Sequence, residues 1–220
     1  MYTALFIHHS VGRYIIQHGG LREKLVAASV PIRLWDHDYN KIGLSNDSGD
    51  RLGHAFPVPG DNTDPPGLLN LLRTANQTIF TELPQLNLLI LKSCYPNNRL
   101  SSDEALETAQ ATYVSMLEAA DKLPLRVLLV ATPPLAPERT SREESARAAA
   151  LSLWLADKWR SPSVAYADIF STLAGSRGRW KGSLSWQARR PVPFDSHPGN
   201  RGCELAAEVI VRAAHELLKK

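Results

Sequence analysis

Three short stretches carry residue types that could carry out acyl transfer together. The first is His8-His9-Ser10-Val11-Gly12, where the apolar run Leu5-Phe6-Ile7 ends abruptly. A serine hydroxyl becomes a nucleophile when a neighbouring base takes its proton. The second stretch, Pro193-Phe194-Asp195-Ser196-His197-Pro198, offers that base in His197. Asp195, two residues before it, can hold the imidazole in the required tautomer. The third stretch, Lys92-Ser93-Cys94-Tyr95-Pro96-Asn97-Asn98, ends in two amides, and either Asn97 or Asn98 could donate to a developing oxyanion. The Ser10 N–H, at a helix start, is a further donor, and a glycine N–H at Gly43 or Gly60 could join it.

These stretches do chemistry only if the chain brings them together. Residues 3–7 read as a short buried strand, and 31–35, 86–91, 126–131 and 164–169 as four more. Between them lie helical spacings. Residues 11–28 carry one that Gly19-Gly20 should interrupt. Pro65-Pro66-Gly67 opens another, with Leu68, Leu71, Leu72, Ala75 and Ile79 on one face. Ser101-x-x-Glu104 and Ser141-x-x-Glu144 read as capping boxes for helices running to about Lys122 and Trp159. A last helix is expected over 200–218. Residues 38–65 and 171–196 show no usable period and read as long loops, the kind that are often functional.

Apolar strands alternating with amphipathic helices predict an α/β three-layer sandwich. Its mostly parallel five-stranded sheet, flavodoxin-like, should carry helices on both faces. Residues 1–220 read as one domain. Right-handed crossovers put the C-terminal ends of parallel strands on one edge, where open α/β sheets bind ligands. His8-His9-Ser10, Asp36-His37-Asp38, the run from Ser93 to Asn98 and Thr132-Pro133-Pro134 should all meet there.

A serine after the first strand, a loop glycine, an asparagine after the third strand and a late Asp/His pair before the final helix resemble the SGNH (GDSL-like) hydrolase superfamily. The resemblance runs through the whole chain, and the His8-His9-Ser10-x-Gly12 pattern is similar to a divergent bacterial branch. It implies a serine esterase, lipase or carbohydrate deacetylase that needs no cofactor and no metal. It implies a small-molecule or glycan ester as substrate. The chain departs from the family where Gly-Asp-Ser becomes His8-His9-Ser10 and where Gly-x-Asn-Asp has no literal copy. It departs again where acid and histidine stand two residues apart instead of three.

Composition narrows the alternatives. A net charge of +3 over 220 residues is too small to point to nucleic acid. No apolar run approaches a membrane span, and the start lacks a basic segment followed by an apolar core, so the expectation is a cytoplasmic protein. Cys94 and Cys203 form no disulfide framework. His8, His9, Asp36, His37 and Asp38 allow a metal-dependent hydrolase as a weaker reading. Trp180 and Trp186, among Arg177, Arg179, Lys181, Arg189 and Arg190, could contact substrate, as could His9. The same basic segment supports the main alternative, a non-catalytic carbohydrate- or polyanion-binding module on the same fold.

Overall fold

The computed structural model describes residues 1–60 and 63–219, apart from the side chain of Arg179. Asp61 and Asn62, part of the polar run in the first long loop, lie outside it. Its frame is a seven-stranded sheet with strands in the spatial order Arg51–Gly53, Leu44–Ser45, Ile32–His37, Tyr2–Ile7, Leu88–Lys92, Arg126–Val130, Val164–Ala167. Five strands are parallel: β1 (Tyr2–Ile7), β2 (Ile32–His37), β5 (Leu88–Lys92), β6 (Arg126–Val130) and β7 (Val164–Ala167). The other two, β3 (Leu44–Ser45) and β4 (Arg51–Gly53), add an antiparallel edge beside β2. Five strands were expected; these two or three residues each, inside the loop over 38–65, are too short to show a period of two.

The parallel strands are apolar throughout because both faces are covered. Along β1, Ala4 and Phe6 enter one core and Leu5 and Ile7 the other. The first core is roofed by α1 (Ser10–Gly19), α2 (Leu21–Ala27), α7 (Ile169–Leu173) and α8 (Asn200–Leu218). The second is covered by α3 (Pro65–Arg73), α4 (Ile79–Glu82), α5 (Asp103–Ala120) and α6 (Arg142–Lys158). Gly20 divides α1 from α2 in the left-handed region at φ 63°, where a glycine costs least.

Local signals decide most boundaries. Ser141 and Glu144 form the expected capping box at the head of α6. At α5 the cap is Ser102, not Ser101: its Oγ accepts from Ala105 N at 3.1 Å. The strand expected over 164–169 ends at Ala167, because Asp168 caps α7 by accepting from Ser171 N at 2.9 Å.

Candidate active site

β1 ends at Ile7, and Ser10 opens α1 after only two residues. The turn between them is held from beneath. His8 is wholly buried, with Nε2 3.1 Å from Asp36 Oδ2 and Nδ1 2.9 Å from the His9 carbonyl. Asp36 is itself paired with Arg22. Asp38, at the end of β2, receives Arg13 Nε at 2.6 Å. The ring of His8 also passes so close to α1 that a Cβ on residue 12 would stand 2.3 Å from His8 Cβ. That contact is why Gly12 follows the serine. No acid directly precedes Ser10; instead a histidine two residues before it is tied to an acid on the neighbouring strand.

His9 is the N-cap position of α1 but makes no side-chain cap, and the Ser10 hydroxyl reaches outward instead. Ser10 Oγ lies 2.8 Å from His197 Nε2, and His197 Nδ1 lies 2.6 Å from Asp195 Oδ1. The same Asp195 oxygen accepts the backbone N–H of His197 at 2.9 Å. Asp195 Oδ2 takes Arg190 at 3.1 Å. Burial pushes the Asp195 carboxyl up, but the two His197 bonds and the Arg190 charge outweigh it and hold the group below its ordinary value. Tyr14 and Tyr95 meet the imidazole edge-on from two sides, with centroids 5.1 and 5.3 Å away.

The loop that presents His197 is pinned at several points. Ser196 is buried, and its Oγ accepts Ala136 N at 2.9 Å from the segment after β6. Arg139 donates to the Phe194 carbonyl. Gly199 N donates to Ala188 O at 2.7 Å, and Gly199 stands at the N-cap of α8. Phe194 adopts φ 59°. This kink accompanies the close spacing of Asp195 and His197.

Other expected site residues fall differently. Asn98 is committed: its Nδ2 donates to the Thr132 and Pro133 carbonyls, both at 2.9 Å, stapling the ends of β5 and β6 together. Asn98 therefore has no amide hydrogen left for an oxyanion. Asn97 is half-buried on the same 3-10 turn, Tyr95–Asn98. Gly43 is corrected too: its N–H donates to Tyr39 O at 2.9 Å in the turn before β3, and its positive φ of 78° serves the close pairing with Gly53. Gly60 is exposed in open space, and no contact among the described residues joins it to Ser10.

His9 is not placed for substrate. It is 1% exposed and stacks on Tyr39 at 4.0 Å. Among the described residues, neither of its ring nitrogens has a hydrogen-bond partner. Burial, helped by the Lys92 charge, pulls its pKa down to about 4, so the ring is neutral at neutral pH. Trp180 lies beneath Arg189, which is paired with Glu138 at 2.9 Å. Its neighbours Gly178 and Lys181 line a cavity of about 700 Å³ beside the head of α6, to which none of Ser10, Asp195 and His197 contributes. Trp186 is 70% exposed. The cations at 189 and 190 are spent on internal pairs, which removes much of the basic patch the sequence suggested. Among the described residues, no group of three or more His, Cys, Asp or Glu could hold a metal ion. His8 faces Asp36 while His37 turns to Phe56 on the opposite side of β2.

Five residues around these stretches were not singled out by the sequence. Arg190 was legible only as part of a charge run. Tyr14 carried only a helical-period signal. The reciprocal tie of Thr63 Oγ1 to Lys92 O at 2.6 Å and Ser93 Oγ to Thr63 O at 2.7 Å had no local signature. Lys92 looked like a strand-end cation but is wholly buried, donating to Ser93 O at 3.0 Å.

No family model matches the chain, and no curated protein matches it by sequence. Solved structures do match. A lipase from a goat rumen metagenome superposes with a TM-score of 0.56 at 15% identity, covering 96% of each chain. The fold is that of the SGNH hydrolases. A GDSL-like lipase from Bacteroides thetaiotaomicron gives a TM-score of 0.56 at 10% identity, over 99% of this chain and 88% of that one. The C-terminal catalytic domain of Streptococcus pneumoniae peptidoglycan O-acetyltransferase A gives 0.51 at 14%, over 100% and 95%.

Proposed function

We propose that the protein is a serine hydrolase that cleaves carboxylic esters through an acyl-enzyme on Ser10. The observation that carries this reading is the continuous chain Ser10 Oγ–His197 Nε2–His197 Nδ1–Asp195 Oδ1, at 2.8 and 2.6 Å. The SGNH fold adds support, since the matched structures include lipases and an O-acetyltransferase domain.

In the reaction, His197 Nε2 takes the Ser10 proton as Oγ attacks the ester carbonyl. The tetrahedral oxyanion is met by the Ser10 N–H at the start of α1 and by the Asn97 amide. His197 returns the proton to the leaving alkoxide, and the acyl group stays on Ser10. Water then repeats the sequence, with His197 again as base, and releases the acid. Asp195 holds the imidazole with Nδ1 protonated and stabilises the imidazolium that forms; it needs no proton of its own. The substrate class is a small ester or an O-acyl group on a carbohydrate.

A fluorophosphonate probe tests the reading directly. The folded protein should take one adduct on Ser10, located by peptide mass spectrometry, and lose it in Ser10→Ala. A folded protein left unlabelled by the probe would sink the proposal.

A further inference from the structure

The buried ion-pair cluster beneath Ser10 takes no part in the proton transfers above, yet it is built in detail. A carbonyl only accepts hydrogen bonds, and so does a carboxylate already paired with arginine. Both ring nitrogens of His8 face such acceptors, Nδ1 the His9 carbonyl at 2.9 Å and Nε2 Asp36 at 3.1 Å. Arg22 fixes Asp36 from the other side and also donates to the Leu34 carbonyl and, at 2.9 Å, to the Asn46 carbonyl. The remaining charged group near His8 is Asp38, 3.9 Å from Nδ1 and held by Arg13.

The atom that His8 grips is informative. The His9 carbonyl belongs to the same rigid peptide as the Ser10 N–H, and in a trans peptide the two point in opposite directions. The His9 oxygen also accepts Arg13 N at 3.1 Å, so both of its lone pairs are engaged from the protein side. The N–H of residue 10, in the first turn of α1, has no partner within the helix. Anchoring the carbonyl aims that N–H outward, and hydrogen bonds to a carbonyl polarise the N–H of the same unit.

We propose that His8, braced by Asp36, is a positioning residue that fixes the His9–Ser10 peptide so that the Ser10 N–H is aimed at the oxyanion. This rests on the serine hydrolase reading. It gives the chain two Asp–His pairs on opposite sides of one serine: Asp195–His197 acts on its hydroxyl, and Asp36–His8 acts on its amide. It also accounts for Gly12, since any side chain there would push the His8 ring off the carbonyl.

The test compares p-nitrophenyl acetate with its thionoester, because a pre-aimed oxyanion donor favours the oxygen over the larger, weaker-accepting sulfur. In His8→Leu, kcat on the oxygen ester should fall about 10-fold or more with KM little changed, on the order of a weakened oxyanion donor. The oxygen-over-sulfur preference should shrink with it. His8→Asn, whose amide donates from near the Nδ1 position, should recover most of both. Asp36→Asn, near-isosteric, should move the preference the same way by a smaller factor and serves if His8→Leu does not fold. Equal losses on the two esters, or a change in KM alone, would overturn the proposal while leaving the hydrolase reading intact. A parent protein unlabelled by fluorophosphonate would remove the hydrolase reading, and this inference with it.

Discussion

Asp195 uses one carboxylate oxygen for two bonds, to the backbone N–H and to the ring Nδ1 of His197, and leaves the other for Arg190. An acid only two residues before its histidine can thus serve the role usually given to a longer spacing. Because these bonds hold the carboxyl below its ordinary value, Asp195 stays charged as pH falls. Asp195→Asn should lower kcat by about 10³–10⁴-fold, since an amide can no longer enforce the tautomer; steady-state assays on p-nitrophenyl acetate check this. Arg190→Gln removes a charge that lowers the Asp195 carboxyl, so that group should titrate higher. The expected result is a modest loss near neutrality that deepens below about pH 5, near the ordinary carboxylate range, read from a pH–rate profile beside the parent. At this scale the meeting of Ser10, His197 and Asp195 was legible, because few residue types can form such a hydrogen-bonded chain. Asn98 and Gly43 were not. Their types suit an oxyanion hole, but their donors turned out to be spent on Thr132, Pro133 and Tyr39, partners that no local pattern announces.

Among the elements, the loop ahead of α8 concentrates the strain. Phe194 sits in the left-handed region with its side chain 56% exposed, so the aromatic ring contributes little to packing in return. A non-glycine residue there costs on the order of 1 kcal/mol, and more for a β-branched one. Phe194→Gly should therefore leave the melting temperature unchanged or slightly raised, with activity kept. Phe194→Val should lower both, because it resists the kink that lets Asp195 fold back on His197. Calorimetry and ester hydrolysis on the same two variants check this. The elements themselves were largely readable: the five parallel strands, the break at Gly20 and the box at Ser141 follow from burial on two faces, from backbone freedom and from capping chemistry. The antiparallel edge of β3 and β4 was hidden by its brevity, and α7 by a strand pattern that Asp168 cuts short.

Across the whole molecule, the cost of the site is a set of ionisable groups buried without full compensation. His9 is the clearest, with both nitrogens unpaired among the described residues and a pKa lowered to about 4. Its unfolded value lies near 6.5, so below that pH the unfolded chain binds a proton that the native state refuses. Stability from this group is fully present above about pH 6.5 and is lost as pH falls toward 4, by about 3 kcal/mol in all. His37, also lowered by burial, adds a slope of the same sign. Urea denaturation at pH 7 and pH 4.5 should show the loss, and His9→Phe, which keeps a ring on Tyr39, should remove most of it. A steep slope unchanged in His9→Phe would show that other groups carry it.

The two halves of the proton relay come from opposite ends of this sequence. Ser10 and His197 are 187 positions apart, and they meet because α1 and α8 pack side by side. During synthesis Ser10 emerges well before His197. On the serine hydrolase reading the hydroxyl stays unactivated until α8 docks against α1, so fluorophosphonate labelling of Ser10 can also report when a newly made molecule has brought these two helices together.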